Sequence, residues 1–550
     1  MPRYEEKAPG WIAAALILVV AFLIIYSPWQ LGDRELYWQE GYFASQAMEM
    51  DYYIPMTFAH GVVIQDSFPL FPWIAAIVHN EFGLSMEMTL RFISLAALAG
   101  IAVLVWFAAG SAGGTQAAAV AAAMMISTGI VIEKSIEGYP HSLMLLALTA
   151  AWLSWFMLGA GRSNWSGAWA ASLFFVGLAF YTFGLPALIY FFFPMIFMRR
   201  PLTIWTKMNK PGFYIGLAVL VGFLMLWALP HIMFARTFPF KSLEFETGSV
   251  SDYLEHLVEF PFDVMLRLMP WTILAWAPFC VEYHPLDKTP IFSRFLRIIV
   301  ISLFFLLWIS PFTEPRDIMV LVPPLAIMTG INYWLIIRRY GDKFLVLMKM
   351  LSFPVFVVGG IILIFYLLPA DWWNSIFTLQ KGIGFRTNPK YIVIGLTWGM
   401  LAAAFGVALI HIKIRPYIWT FTLILVCAIM VFYWSLMHPY KAQEQTKKAM
   451  GRELRETLAI EGVADNDVIY IGPNLGLYGE CYYMGGKLFS ISNVEEIPAD
   501  KKQVYLISTE FPQVPERRWR NLLPTRKTYK DKPICLWQGI KNEQKKKSIK

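Results

Sequence analysis

Residues 11–27 read WIAAALILVVAFLIIYS and run straight into PWQLGDRELYWQEGYFASQAMEMDYYIPM at residues 28–56. The first stretch is apolar throughout and close to the roughly 20 residues needed to cross a bilayer as a helix. The second interleaves aromatic, apolar and charged residues, which suits helices lying in the membrane interface. The anchor follows a charge-balanced MPRYEEK and ends in YSPWQ, with no small-residue cleavage site, so it reads as an uncleaved first span.

The rest of the chain repeats the first theme. Of 550 residues, 57% are hydrophobic and 15% charged, against roughly 25% charged in a soluble domain. Residues 441–550 hold 20 basic and 14 acidic side chains, so the preceding 440 residues carry few charges. A soluble, fibrous or disordered protein is excluded, and the net charge of +8 is too small to argue for nucleic acid. Apolar runs bounded by charge, Gly or Pro predict thirteen spans, near 11–28, 88–110, 115–132, 142–159, 167–181, 184–198, 212–234, 266–283, 295–310, 318–337, 350–369, 391–411 and 416–436. The expected fold is therefore a polytopic α-helical membrane protein, with interfacial helices in its first outer loop and a small C-terminal α/β domain. The division falls at 1–440 and 441–550. In the tail, GRELRETLAI and LGLYGECYYMGG read as helices and DVIYIG, LFSIS and QVYLIST as strands, which suggests a compact three-layer unit.

Loops alternate in character. One set carries the basic clusters: Arg199, Arg200, Lys207 and Lys210; Lys288, Arg294 and Arg297; Arg338, Arg339, Lys343 and Lys349; Lys413 and Arg415. These are cytoplasmic by the positive-inside rule. The other set, including 29–87, 235–265 and 370–390, then faces outside, and the tail with it. Cys481 and Cys535 lie in that tail, as a disulfide if the compartment is oxidising or as two separately buried thiols.

A transporter places charge in mid-span and repeats its halves. Here the acids crowd the outer ends instead: Asp33, Glu35, Glu40, Glu49, Asp51 and Asp66 in the first loop, Glu133 and Glu137 in the second, and Glu314 beside Arg316 in the fifth. That pattern favours chemistry on a lipid at the membrane surface over passage through it.

Four fragments carry a family resemblance. Trp38-Gln39-Glu40-Gly41-Tyr42-Phe43-Ala44 with Asp51-Tyr52-Tyr53-Ile54-Pro55 resembles the first outer loop of the GT-C polyprenyl-phosphate-sugar glycosyltransferases, the group of the protein O-mannosyltransferases and the lipid A aminoarabinose transferase. Asp66-Ser67-Phe68-Pro69-Leu70, followed by Arg91-Phe92, is similar to their Glu-Lys-Pro-Pro-Leu segment and the Arg opening the second span. Gly177-Leu178-Ala179 through Thr182-Phe183-Gly184-Leu185-Pro186, and Pro315-Arg316-Asp317 to Pro323-Pro324, resemble two further junctions. The resemblance implies inverting transfer of a sugar from a polyprenyl-phosphate donor to a lipid, glycan or protein acceptor at the outer face. The lipid A branch of that family implies a bacterial inner membrane, with an endoplasmic-reticulum membrane as the alternative, and the odd number of spans then puts the tail in the periplasm.

The departures are specific. Gln39 stands where the family has the Asp of its Asp-Glu pair, so Glu40, or Asp33 or Glu35 upstream, is the expected base. The family lysines have become Ser67 and Phe183, which leaves Arg316 and Lys134 as the expected phosphate ligands, with Gln39, Asp66 and His141 as further substrate contacts. No cofactor is implied with certainty. A divalent metal is left open, with Asp66 and His141 as its ligands. Each residue also has a plainer reading: Glu40 and Gln39 as the polar face of an interfacial helix, Asp66 as a turn acid, His141 as a helix start, and Arg316 as an interface anchor. A non-catalytic protein that binds or flips lipid-linked sugar, having lost its base at Gln39, is the alternative function.

Overall fold

The computed structural model describes residues 8–50, 56–64, 67–234, 250–280, 287–367, 417–443, 445–464, 467–473, 475–498, 500–514, 516–523, 528–529 and 532–541. Seven described helices are long and apolar enough to cross a membrane, among them Trp11–Gln30, Met86–Ser127, His141–Gly161, Trp165–Phe183, Pro290–Ile309 and Pro315–Phe344. Leu185–Ile196 and Ile418–Phe432 are shorter apolar helices. The expected spans 88–110 and 115–132 meet at Gly114, whose φ of 79° interrupts the helix in a region that favours glycine.

Two expectations about the helical segments differ from the structure. In the span expected over 266–283, the described residues up to 280 are instead the end of an amphipathic helix, Val250–Arg267, followed by the short helical segments Thr272–Trp276 and Ala277–Phe279. Pro270, which cannot donate to a helix ladder, separates them. The loop expected between 318–337 and 350–369 is absent, because Val322–Leu367 is one continuous helix through Arg338, Arg339 and Lys343. Basic side chains are good helix formers and no proline intervenes there. The span expected at 391–411 lies outside the described residues.

Chain contacts divide the molecule into two units. The helical unit comprises 1–33, 91–225 and 244–444, the loop-tail unit 34–90, 226–243 and 445–550. In the helical unit the segment Pro315–Phe344 is almost wholly buried. Its Gly330 lies so close to Ala117 that a Cβ would come within 2.4 Å of the Ala117 carbonyl oxygen. The alanine-rich run Ala117–Ala123 is what lets the two backbones approach so closely.

In the loop-tail unit a five-stranded sheet runs in the order Lys487–Ser490, Val468–Ile471, Gln503–Ser508, Cys535–Lys541, Arg517–Asn521. The first three strands are parallel and the last two pair antiparallel. Alternation sorts the faces: Ile469, Ile471, Tyr505 and Ile507 pack with Leu454, Leu458, Cys481 and Met484 from the helices Thr446–Ile460 and Tyr478–Met484. Tyr470, Val504 and Leu506 pack with Ile491 and Ile497 from a loop. Both helices thus share one sheet face, and the opposite face is covered by loop, not by a third helical layer. Cys481 and Cys535 are unpaired thiols, with Cys481 fully buried in the first of these cores. Residues 34–90 supply helices Glu40–Glu49 and Leu70–Phe82 to the same unit. Helix Glu40–Glu49 meets Tyr478–Met484 so tightly at Gly41 that a Cβ there would lie 2.5 Å from the Gly479 nitrogen.

Candidate active site

In the helical unit, ion pairs link the short helix Gly129–Ser135 and the turn after it to the segments around Arg267 and Arg316. Arg267 pairs with Asp263 (2.6 Å) and Glu133 (2.9 Å), and Lys134 with Glu133 (2.8 Å) and Glu137 (3.4 Å). Glu137 reaches Arg316 through its second oxygen (3.1 Å), and Arg316 reaches Glu314 at 3.6 Å. Charges alternate along this chain, and Glu137 bridges Lys134 and Arg316. The Lys134, Glu137 and Arg316 side chains are only 15%, 16% and 14% exposed, so water screens their attraction weakly.

Local structure holds Arg316 in place. The turn Pro315–Leu321 opens with a capping box in which the Glu314 N–H donates to Asp317 Oδ2 (2.9 Å). Asp317 Oδ1 accepts from the Tyr190 hydroxyl at 2.8 Å. The guanidinium lies over the Tyr139 ring, 3.5 Å from its centroid, and its Nε is buried without a hydrogen-bond partner among the described residues. Ser94 exchanges hydrogen bonds with the Tyr139 backbone, fixing that ring's position. His141 sits against Tyr139 and Phe183, with ring centroids 4.3 Å apart in the latter pair. Phe183, where the family resemblance expects lysine, therefore covers the imidazole with an apolar ring.

Asp33 is in the helical unit, just after the turn Pro28–Gln30, and its N–H donates to the Gln30 carbonyl. Glu35 and Glu40 belong to the loop-tail unit. Glu35 accepts from the Lys448 N–H (3.0 Å) and the Thr446 hydroxyl (3.3 Å), so it caps the first turn of Thr446–Ile460. Glu40 is 1% exposed and accepts from the Tyr37 N–H at 2.8 Å, while its own N–H donates to the Tyr37 carbonyl. This two-way turn forces Trp38, 68% exposed, to φ 45°, a costly conformation for so bulky a side chain. Gln39 is exposed and stands at the N-cap of the helix, where its side chain makes no capping hydrogen bond.

Further groups escaped the sequence reading. Glu49 accepts from the His60 and Gly61 N–H groups, both at 2.8 Å, and holds the tip of the hairpin 58–63; burial raises its pKa. His60 stacks on Tyr478 (4.9 Å), and burial lowers its pKa to about 4. Tyr483 donates to Glu87 (2.9 Å) and accepts from the Leu36 N–H (2.8 Å). Ser67, standing for the family's first lysine, donates to Gln46 Oε1 (2.7 Å) and its carbonyl accepts from Trp227 Nε1. Among these, Glu49 was visible only as one of the acids expected in the first outer loop, and Glu87 was not singled out. No local pattern announces which backbone amide an acid will reach.

The structure thus brings Lys134, Arg316 and His141 into one neighbourhood and places Glu35, Gln39 and Glu40 on one turn of another unit. Asp66 lies outside the described residues. Among the described residues no group of three or more His, Cys, Asp or Glu side chains is arranged to hold a metal.

No protein-family model and no curated protein sequence matches the chain. Solved structures do. The structure of ArnT from Cupriavidus metallidurans bound to undecaprenyl phosphate is similar over 97% of this chain and 98% of its own, with TM-score 0.67 and 15% identity. The apo state of the same protein gives 0.65 over 96% and 98%, with 14% identity. The Archaeoglobus fulgidus oligosaccharyltransferase is more remote, at 0.46 over 89% and 68%, with 11% identity. The chain is a multi-pass membrane protein that shares the fold of these ArnT structures over nearly its whole length, in keeping with the expected polytopic helical architecture and C-terminal α/β domain.

Proposed function

We propose that this protein is a glycosyltransferase that moves a sugar from a polyprenyl-phosphate carrier to a lipid, glycan or protein acceptor at the outer face of a bacterial inner membrane, with its tail in the periplasm. The observation that carries this reading is the Lys134–Glu137–Arg316 bridge at the acidic end of the spans. Transfer requires the carrier phosphate to leave from the anomeric carbon, and its charge needs cations already in position. Arg316 and Lys134 are held on either side of one carboxylate, and a phosphate group can take that carboxylate's place between them. The fold likeness adds support, since ArnT was captured with undecaprenyl phosphate.

Glu40 is the proposed base for a hydroxyl acceptor. It is the acid of the matched aromatic motif and is buried, whereas Glu35 is engaged as a helix cap. Glu40→Gln is expected to lower transfer by about 10²–10⁴ while leaving carrier binding intact. Asp33→Asn and Glu35→Gln serve as the controls.

A second reading, a protein that binds or flips lipid-linked sugar without transfer, is favoured by one observation: Glu40 is tied to the Tyr37 amide while exposed Gln39 replaces the family acid. Mass spectrometry of glycolipids and glycoproteins from a deletion strain decides between the two. A missing sugar on an acceptor supports transfer, and an unchanged glycan inventory with accumulated carrier supports the second reading.

A further inference from the structure

At the other end of the helical unit, a pocket of about 510 Å³ opens between helix ends. Its wall includes Phe156, Ala160, Trp165, Lys207, Thr289 and Phe292. Trp165 begins helix Trp165–Phe183, whose last residue packs on His141. At 1.5 Å per residue the pocket and the Arg316 neighbourhood are about 27 Å apart along that helix, close to the thickness of a bilayer's hydrocarbon core.

The aromatic wall is well built. Phe156 stacks on Phe292 at 4.5 Å, Trp155 backs Trp165 at 5.2 Å, and Gly159 lets the Trp165 ring lie where any Cβ would collide with it. Lys207 closes one side, with its ammonium 4.5 Å from the Trp165 ring centroid and its backbone carbonyl fixed by Trp169 Nε1. Thr289 Oγ1 is buried without a hydrogen-bond partner among the described residues. Flanking the wall in sequence are Arg162, Arg199, Arg200, Lys288 and Arg294. Among the described residues neither Lys207 nor any of these five forms an ion pair. Asp287, the acid nearest in sequence, accepts from the Thr289 N–H. At the acidic end, by contrast, Lys134, Arg267 and Arg316 are each paired.

An apolar recess with the Lys207 ammonium in its wall, and with neighbouring cations in sequence that form no ion pair among the described residues, is complementary to a molecule with an apolar body and an anionic head. By the positive-inside rule this end faces the cytoplasmic leaflet, which supplies such molecules as anionic phospholipids. We infer that the pocket binds an anionic phospholipid, with an acyl chain against Phe156, Trp165 and Phe292 and its phosphate on the Lys207 ammonium. The site is separate from the proposed transfer chemistry.

The test uses the full chain, purified in mild detergent and examined by native mass spectrometry with added phosphatidylglycerol or with phosphatidylcholine of the same acyl chains. Retention of one phosphatidylglycerol per chain in preference to phosphatidylcholine is expected. Lys207→Ala should weaken it by about tenfold or more, and Lys207→Arg should retain it. Ala160→Trp, which fills the recess, should abolish it while the protein keeps its elution volume. Equal retention of both lipids would overturn the inference, as would undiminished binding in Lys207→Ala and Ala160→Trp. Selective capture of undecaprenyl phosphate over phosphatidylglycerol would overturn it too, by assigning the pocket to the sugar carrier.

Discussion

The ion-pair chain around Arg316 and the segment carrying Glu35, Glu40 and Glu49 use carboxylates differently. In the helical unit Asp263, Glu133, Glu137 and Glu314 reach guanidinium or ammonium groups. In the loop-tail unit Glu35, Glu40 and Glu49 reach backbone N–H groups. The difference is one of exchangeability. A carboxylate on a peptide N–H fixes the chain's path, and nothing that lacks the chain connection can replace it. A carboxylate between two cations can be replaced by any anion of suitable size. The first arrangement shapes a site, and the second leaves room for a ligand phosphate.

The strongest challenge to this contrast is Arg316→Ala. Losing a charge-assisted bond of about 1.5–3 kcal/mol should weaken polyprenyl-phosphate binding roughly ten- to hundredfold, measured by titration of purified protein. Unchanged affinity in a folded variant would put the phosphate elsewhere.

Next in size is the acid response of the loop-tail unit. Burial depresses the His60 pKa to about 4, below its ordinary 6.5, so the unfolded chain takes up the proton first. Stability is complete above about pH 6.5 and declines as pH falls toward 4. At roughly 1.36 kcal/mol per pH unit, the loss by pH 4.5 reaches about 2–3 kcal/mol. Hydrogen exchange of residues 56–64 in the full chain should accelerate over that range. His60→Phe, which keeps a ring on Tyr478, should flatten the response.

Glu49→Gln tests the amide-binding role directly. One hairpin N–H loses its acceptor, and protection of residues 58–63 should fall by about 1–2 kcal/mol, with polyprenyl-phosphate affinity unaltered. The smallest effect belongs to Glu137→Gln. Removing the bridging charge should tighten binding of the carrier, by no more than about fivefold. Weaker binding would mean that Glu137 positions Arg316 and is not displaced from it.

Much of this was legible in the sequence, for identifiable reasons. Apolar runs such as 11–28 and 295–310 became helices because a spanning segment has to satisfy its own backbone. The tail strands QVYLIST and DVIYIG announced themselves by period-two alternation and β-branched content. Segment 266–283 misled because its apolar composition hid Pro270. Arg338, Arg339 and Lys343 misled because a charge cluster says which side of a membrane it occupies, not whether the helix stops. Lys134 and Arg316 stood out as cations among acids. Their pairing through Glu137, the Tyr139 ring beneath Arg316 and the contribution of Arg267 depend on contacts between segments more than 100 residues apart, which no local pattern encodes.

The bond from the Lys448 amide to Glu35 spans 413 positions of chain, and that from the Leu36 amide to Tyr483 spans 447. Synthesis runs from the N-terminus, so the turn carrying Glu40 leaves the ribosome long before the helices that pack on it exist. Until the last fifth of the polypeptide has been made, Gly41 has no Gly479 to meet. Maturation of the first loop is thereby tied to completion of the chain, and a ribosome that stops short of the tail releases a protein with its anchors in place and its first loop unassembled.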